Sequence, residues 1–288
     1  MRSILLLALV ATASAFTAPA APKRFGGRPS SLADDEAPSD GGVFEEAVAA
    51  AAQPDTRIEA AALKARIFAA CAASDRGFAA SAADRATIEA LLDDLAPLSP
   101  TADPSAGIAD GDADAPLRAC WRLVYTSASD VSTLGGNPFT QLGGIYQDAR
   151  ELPLIVNVID VFPRALSALP PNVAANLGTA ARLKVTTRAR PRSPARVGLS
   201  FERVGAEATS ILGRTPPDWL PKPAVPLPQL GLDLQRRVFG VSDDADPRDA
   251  ESNPAFFDIT YVDDDFLVIK QGSPGGTFAA VRVDGLAD

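Results

Sequence analysis

Three aspartates in a row, Asp263-Asp264-Asp265, are the first residues of this chain that could do chemistry. Adjacent carboxylates can hold a metal ion or share acid/base work. Consecutive residues of a tight turn mostly point to water, however, and the spacing lacks the D-x-D-x-D-G pattern of a calcium loop. A solvated turn is the simpler reading, and Asp243-Asp244-x-Asp246 reads the same way. The 288 residues include no histidine. That excludes His-based acid/base catalysis, Ser-His-Asp and Cys-His nucleophiles, and histidine metal sites. With no histidine, the two cysteines, Cys71 and Cys120, are too few for a four-ligand zinc site. They read as buried free thiols, although one disulfide remains open at this level. Ser-Lys or carboxylate chemistry stays open at this level, and no metal or cofactor is expected. The paired glycines Gly135-Gly136 and Gly143-Gly144 precede no GK[ST] and open no helix, so they form neither a P-loop nor a dinucleotide fingerprint. They read as turn residues before a strand.

A basic run offers surface chemistry instead. Arg182, Lys184, Arg188, Arg190 and Arg192 share one face if they lie on a regular strand. Such a face is either solvated or set against anionic lipid head groups. Nucleic acid is not expected, because no aromatic platform interleaves with the cations. The chain carries 27 basic and 36 acidic residues, a formal charge of −9. An acidic protein is a poor general binder of nucleic acid.

Large apolar side chains recur at alternate positions: Trp121, Leu123, Tyr125; Val197, Leu199, Phe201; Phe257, Ile259, Tyr261. Alternation is the mark of strands with one apolar face. In a small barrel that face points inward, so these residues either fill a core or line a ligand cavity. Trp121, Tyr125, Phe201, Phe257, Ile259 and Tyr261 are the expected lining residues.

The elements that must position them follow from pattern. Residues 57–96 read as a helical pair. Leu63, Ile67, Ala70 and Cys71 share one face, Gly77 suits a stop, and Ser81-x-x-Asp84 resembles a capping box. Ile88, Leu91, Leu92 and Leu95 form a second helical stripe. Residues 97–116 have the composition of a linker. From Cys120 the period changes to two. Eight strands are expected: Trp121–Ala128, Gly144–Ala149, Leu154–Val161, Arg182–Ala189, Arg196–Val204, Phe256–Val262, Phe266–Gln271 and Thr277–Val283. The continuous apolar run Leu154–Val161 fits a helix as well. The fold class is mainly β, an antiparallel barrel of about eight strands over residues 117–286 with a helical segment before it. A proline-rich insertion at 205–255 contains Trp219, Leu220, Leu227, Leu230, Leu232, Leu234 and Phe239, and either packs along the barrel or covers its mouth.

The N-terminus reads as an address. A basic start, the apolar stretch 4–10 and Ala13-Ser14-Ala15 form a signal peptide over 1–15. Residues 16–33 are basic, hydroxyl-bearing and acid-free, which is transit-peptide composition. Residues 34–56 are acidic and Ala-rich, and read as poorly ordered.

Five ordered blocks together resemble the plastid lipid-associated protein family, also called fibrillins. Trp121-Arg122-Leu123-Val124-Tyr125-Thr126-Ser127 is similar to its W-R-L-L-Y-T-S strand. Leu142-Gly143-Gly144-Ile145-Tyr146-Gln147, Asn157-Val158-Ile159 and Arg196-Val197 to Phe201-Glu202 resemble the following blocks. Asp258 to Asp265 resembles the C-terminal D-I-T-Y-L-D-E-D motif. The family's arginines after that motif fall on Leu267 and Lys270, so either Lys270 or Arg282 is left to pack over Trp121 at the barrel base. The leader is similar to the two-part plastid leader of algae with secondary plastids. The resemblance implies a lipocalin-like barrel in the plastid, associated with thylakoid or plastoglobule lipid. It implies an apolar small-molecule ligand (carotenoid, prenylquinone, tocopherol or fatty acid) and no catalysis. Two alternatives stand beside it. One is a barrel enzyme acting on an isoprenoid or lipid, with Asp258 or Asn157 inside. The other is an adaptor that docks a lipid-biosynthetic enzyme on the Ile88–Leu95 stripe.

Overall fold

A computed structural model describes residues 56–128, 139–226, 255–272 and 275–286 of the chain. The expected leader over 1–33, most of the acidic segment after it, the Gly135-Gly136 pair, the Asp243–Asp246 acids and the apolar residues from Leu227 to Phe239 lie outside these residues.

Helix α1 covers Thr56–Ala73 and α2 covers Ala82–Leu95. Leu63, Ile67 and Cys71 recur every four residues, so all three fall on one buried face of α1. The helix ends in a run of positive φ at Asp75, Arg76 and Gly77. Gly77 has least freedom: a Cβ there would sit 2.3 Å from the Thr126 carbonyl oxygen. The turn is thereby pressed against the end of the first strand, and Thr126 N–H donates to Arg76 O at 2.9 Å. Ser81 and Asp84 form the expected capping box at the start of α2. Ile88, Leu91, Leu92 and Leu95 are all buried against Tyr125, Phe266 and Val268. The adaptor reading thus loses the surface it relied on.

Nine strands follow among the described residues: β1 Cys120–Thr126, β2 Thr140–Asp148, β3 Leu154–Pro163, β4 Ala180–Pro191, β5 Arg196–Ser210, β6 Ala224–Pro226, β7 Phe256–Val262, β8 Phe266–Gln271 and β9 Gly276–Val283. The short helix α3, Pro171–Leu177, lies between β3 and β4. The run starting at Leu154 is a strand, paired in unbroken register with β4 from Leu154↔Arg188 to Val161↔Ala181. All pairings are antiparallel. They close a ring of eight, β1-β2-β3-β4-β5-β7-β8-β9, with β9 returning to β1. This is the expected mainly β fold with its N-terminal helical segment.

The ring closes unevenly. β4 and β5 pair along their whole length, from Ala180↔Ser210 to Pro191↔Val197. Among the described residues β5 and β7 pair at Arg196↔Asp258, Val197↔Phe257 and Gly198↔Phe256. Above that seam, β6 from the proline-rich insertion adds itself to β5 at Arg203, Val204 and Gly205. A strand flanked by prolines suits this edge position, where no further partner needs its N–H groups.

One end of the barrel is sealed by residues 97–117. Their composition is that of a linker, yet Ile108 and Leu117 are fully buried and Ala115 packs with them beside Trp121. Ser105 ties the loop to the β4–β5 turn, its N–H to Pro194 O and its hydroxyl to Ser193 O. Thr101 Oγ1 donates to Val262 O, and Ser99 Oγ accepts from Val262 N–H. Two large apolar residues, Leu98 and Ile108, are too sparse in 97–116 to show any period, which is why the plug reads as a linker.

Candidate functional site: a plugged calyx

The inner face of the barrel follows from register. Ile155, Trp121, Val197, Phe257, Ile259, Ile269 and Ala280 come from six strands and form one buried cluster with the plug residues. This cluster fills the sealed half. Trp121 is its floor, wholly buried, with Nε1–H donating to Leu117 O at 2.9 Å.

Above the floor the same faces behave differently. Inward positions alternate along β3 from Ile155 to Ile159 and Val161, and along β4 from Thr187 to Val185 and Leu183. Ile145 faces Ile159, Phe201 faces Thr187 and Val204 faces Val185. Ile145, Ile159, Val161, Leu183, Val185 and Phe201 are only partly buried, although they point into a barrel. Packed interiors leave few voids larger than a water molecule. We read the surface left on these inward-facing apolar side chains as a hollow upper half that opens at the end opposite the plug. Fully buried Thr187 marks the boundary, with Oγ1 donating to Ile155 O at 3.1 Å.

The six expected lining residues separate into three groups. Phe201 lines the hollow. Trp121, Phe257 and Ile259 pack the floor beneath it. Tyr125 and Tyr261 lie outside the barrel, under the helices, and correct the expectation from alternation. The cause is a bulge in each strand. Register slips between Leu123 and Tyr125 on β1, and between Ile259 and Tyr261 on β7. A single extra residue sends every following side chain to the other face. β2 has its own irregularity at Gly143-Gly144, between Leu142↔Val161 and Ile145↔Ile159. Gly144 is needed there for space rather than a left-handed turn, because a Cβ would strike the Tyr146 ring at 2.3 Å.

The basic run does lie on the outer face of β4, but its charge is largely matched. Arg182 grips Asp160 with two bonds, Nε to Oδ1 at 2.7 Å and Nη2 to Oδ2 at 3.2 Å. Lys184 pairs with Glu207 and Arg188 with Glu202, each at 2.6 Å. Arg192 lies over Gly198, where a Cβ would meet its Nε at 2.3 Å. Arg190 is exposed. The five cations expected to meet anionic lipid thus present far less free charge than the sequence suggests. The acidic partners lie on the adjoining strands β3 and β5, and a reading of one strand does not show them.

The aspartate turn differs from a solvated one. Asp263 accepts from Lys64 Nζ at 2.8 Å, from the Tyr261 hydroxyl and from the N–H groups of Asp265 and Phe266. Lys64 also reaches Asp265 at 2.6 Å. Burial pushes the Asp263 carboxyl up, but these donors outweigh it and hold the group at about 2. The turn is an anchor for α1. A surface groove of about 980 Å³ runs beside it, lined by α1, Arg118, Arg282 and the turn. Its carboxylates at Asp263 and Asp265 are committed to Lys64, and it lies outside the calyx. Among the described residues no cluster of three metal-ligating side chains occurs.

Asp258 lies on the outer face, bound by Arg196 at 2.7 and 2.8 Å. The barrel-enzyme reading loses that carboxylate, although Asn157 does face inward. Lys270 is also outside, 2.5 Å from Asp93 on α2. Arg282 stands opposite Trp121 in the β1–β9 register and donates to Asp264 O at 3.4 Å. Cys71 and Cys120 are free and buried in separate clusters, and burial pushes the Cys71 thiol up to about 11.

The profile of the PAP_fibrillin family matches residues 61–280, from α1 into β9. The chain belongs to the plastid lipid-associated protein, or fibrillin, family. Fibrillins are structural, lipid-associated proteins of the plastid, and the barrel of this fibrillin fits that class. Comparison with curated proteins gives no match, and neither does comparison with solved structures.

Proposed function

We propose that this fibrillin is a carrier that holds an apolar metabolite in the open half of its barrel while its rim rests on thylakoid or plastoglobule lipid. The ligand class is a carotenoid, prenylquinone, tocopherol or fatty acid. The observation that carries the reading is the inward apolar surface left uncovered above Trp121. Burying about 300 Å² of apolar ligand there would gain about 7 kcal/mol, before the costs of immobilisation.

The rim supports the lipid-facing part. Phe139, Phe162, Leu169, Leu212 and Trp219 are exposed, with Phe139 and Trp219 at 79%. All sit in strand ends or connections at the open end, so a ligand leaving the calyx would pass between them. Aromatic side chains favour the boundary between lipid and water. Among the described residues no helix is long and apolar enough to cross a membrane.

The test is recovery of the native protein from plastid fractions, with extraction and mass analysis of what it holds. The expected result is enrichment with plastoglobules or thylakoids and an apolar metabolite at near-stoichiometric yield. Protein free of lipid and confined to the soluble stroma would refute the proposal.

A further inference from the structure

We propose that Gln147 and Asn157 form a hydrogen-bonding station at the base of the hollow for a neutral amphiphile headed by a carbonyl or hydroxyl group. This deepens the carrier reading and rests on it.

The two residues are partners in the β2–β3 register. Gln147 is also opposite Trp121 of the floor, and Asn157 is two residues along β3 from fully buried Ile155. The next inward pair above them is Ile145 and Ile159. The amides therefore stand where packed floor gives way to apolar hollow. Both side chains are partly buried. Thr187, the neighbouring inward polar residue, is satisfied by Ile155 O. Neither amide has a side-chain hydrogen bond among the described residues. Neither amide is sealed off, since neither is among the buried side-chain polar atoms that lack a partner. Two accessible amides in register on an otherwise apolar wall are free to bond a polar group that enters from outside the chain.

The chemistry of that partner follows from the donor set. Each amide offers two N–H donors and a carbonyl acceptor. Together they can donate to a ring carbonyl or exchange bonds with a hydroxyl. They carry no charge. Among the described inward positions of β2 to β5 there is no Lys, Arg, Asp or Glu. Arg282, on the inward face of β9, is turned to Asp264 O at the sealed end. An ionised carboxylate entering the hollow would lose its water and meet no cation, which is strongly unfavourable. From Asn157 to Val161 the wall rises about 13 Å along β3, enough for a chain of roughly ten carbons above the head.

Titration calorimetry on the purified chain tests this with four probes of one chain length: 2-decyl-1,4-benzoquinone, decylbenzene, methyl decanoate and decanoate. The expected result is binding of the quinone, the ester and decylbenzene. The double variant Gln147→Leu, Asn157→Leu should then bind the quinone about tenfold more weakly and decylbenzene as before. Unchanged quinone affinity in the folded variant overturns the station and leaves the carrier reading standing. Failure of every probe to bind the unaltered chain overturns the carrier reading as well. If the double variant does not fold, the single variants Gln147→Met and Asn157→Val carry the same comparison. A further arm needs no variant. Decanoate should bind much more weakly than methyl decanoate at pH 8, and the gap should narrow towards pH 5 as the acid, ordinarily with a pKa of about 4–5, begins to protonate. Equal affinity at pH 8 overturns the preference for a neutral head.

Discussion

Tyr125 on β1 donates its hydroxyl to Glu89 on α2 across 3.1 Å, from the outer wall of the barrel. The other Glu89 oxygen accepts from Thr277 Oγ1 at 2.6 Å. One carboxylate on a helix thus fastens two strands. Burial and the Glu89 charge both push the Tyr125 hydroxyl above its ordinary value, so it stays a donor at any physiological pH. Replacing Glu89 by Ala strands two donors in a partly buried site. A loss of about 1–2 kcal/mol is expected in urea unfolding, and Glu89→Gln should recover part of it. Unchanged stability in Glu89→Ala would mean the helices are held by apolar packing alone.

A second clamp has a pH signature. Lys64 and Asp263 are 199 positions apart in sequence and 2.8 Å apart in space. Asp263 is held at about 2, below the usual value for an unfolded aspartate, so its contribution to stability is complete above about pH 4 and disappears as pH falls towards 2. Burial lowers the Lys64 ammonium, but Asp263 and Asp265 outweigh it and raise the group. Its contribution is therefore full below its ordinary value and is lost only as pH rises past it. Lys64→Met should melt lower than the unaltered chain at pH 7, with the gap closing near pH 2. A gap of the same size at both pH values would remove the ion pair from the account.

Much of this fold is legible in the sequence because its signals are local. The capping box at Ser81 and Asp84, the stripe from Ile88 to Leu95 and the strand from Phe256 to Val262 each declare themselves within a dozen residues. The interior is legible only to the first bulge. Phe257 and Ile259 point inward as alternation says, and Tyr261 does not, because the extra residue at Thr260 has no sequence mark. The hollow was harder still. Its wall on β3 lies in a run where Val156 and Val158 on the outer face are as apolar as Ile155 and Ile159 on the inner one. Charge matching across β3, β4 and β5 needs three strands in register before Asp160, Glu202 and Glu207 find their partners.

Gly77 tests the junction between helices and barrel. Its φ is +91°, and a Cβ would lie 2.3 Å from Thr126 O. Gly275 has a similar φ of +95° with nothing within 4 Å of the same position. Gly275→Ala should cost about 1 kcal/mol, from backbone strain alone. Gly77→Ala adds the clash with a backbone atom and should cost about 3 kcal/mol or more. Equal losses in thermal unfolding would show that the turn can move away from β1 freely.

The rim and the basic face make opposite predictions about lipid. If the β4 cations held the protein to a membrane, Lys184→Gln with Arg188→Gln would weaken binding to anionic vesicles, and salt would do the same. Both cations are already paired with glutamates, so little change is expected in flotation, apart from some loss of stability. The apolar rim behaves otherwise. An aromatic side chain carries about 150–250 Å² of surface, and covering half of it with lipid is worth about 2 kcal/mol, or roughly thirtyfold in partitioning. Trp219→Asp and Phe139→Asp should each reduce flotation with neutral vesicles by about that factor, with no effect of salt on the remainder. The two substitutions lie on exposed connections, so unfolding should be unaffected. Flotation lost in the β4 pair and kept in the rim pair would place the lipid contact on the outer wall, with the calyx mouth facing water.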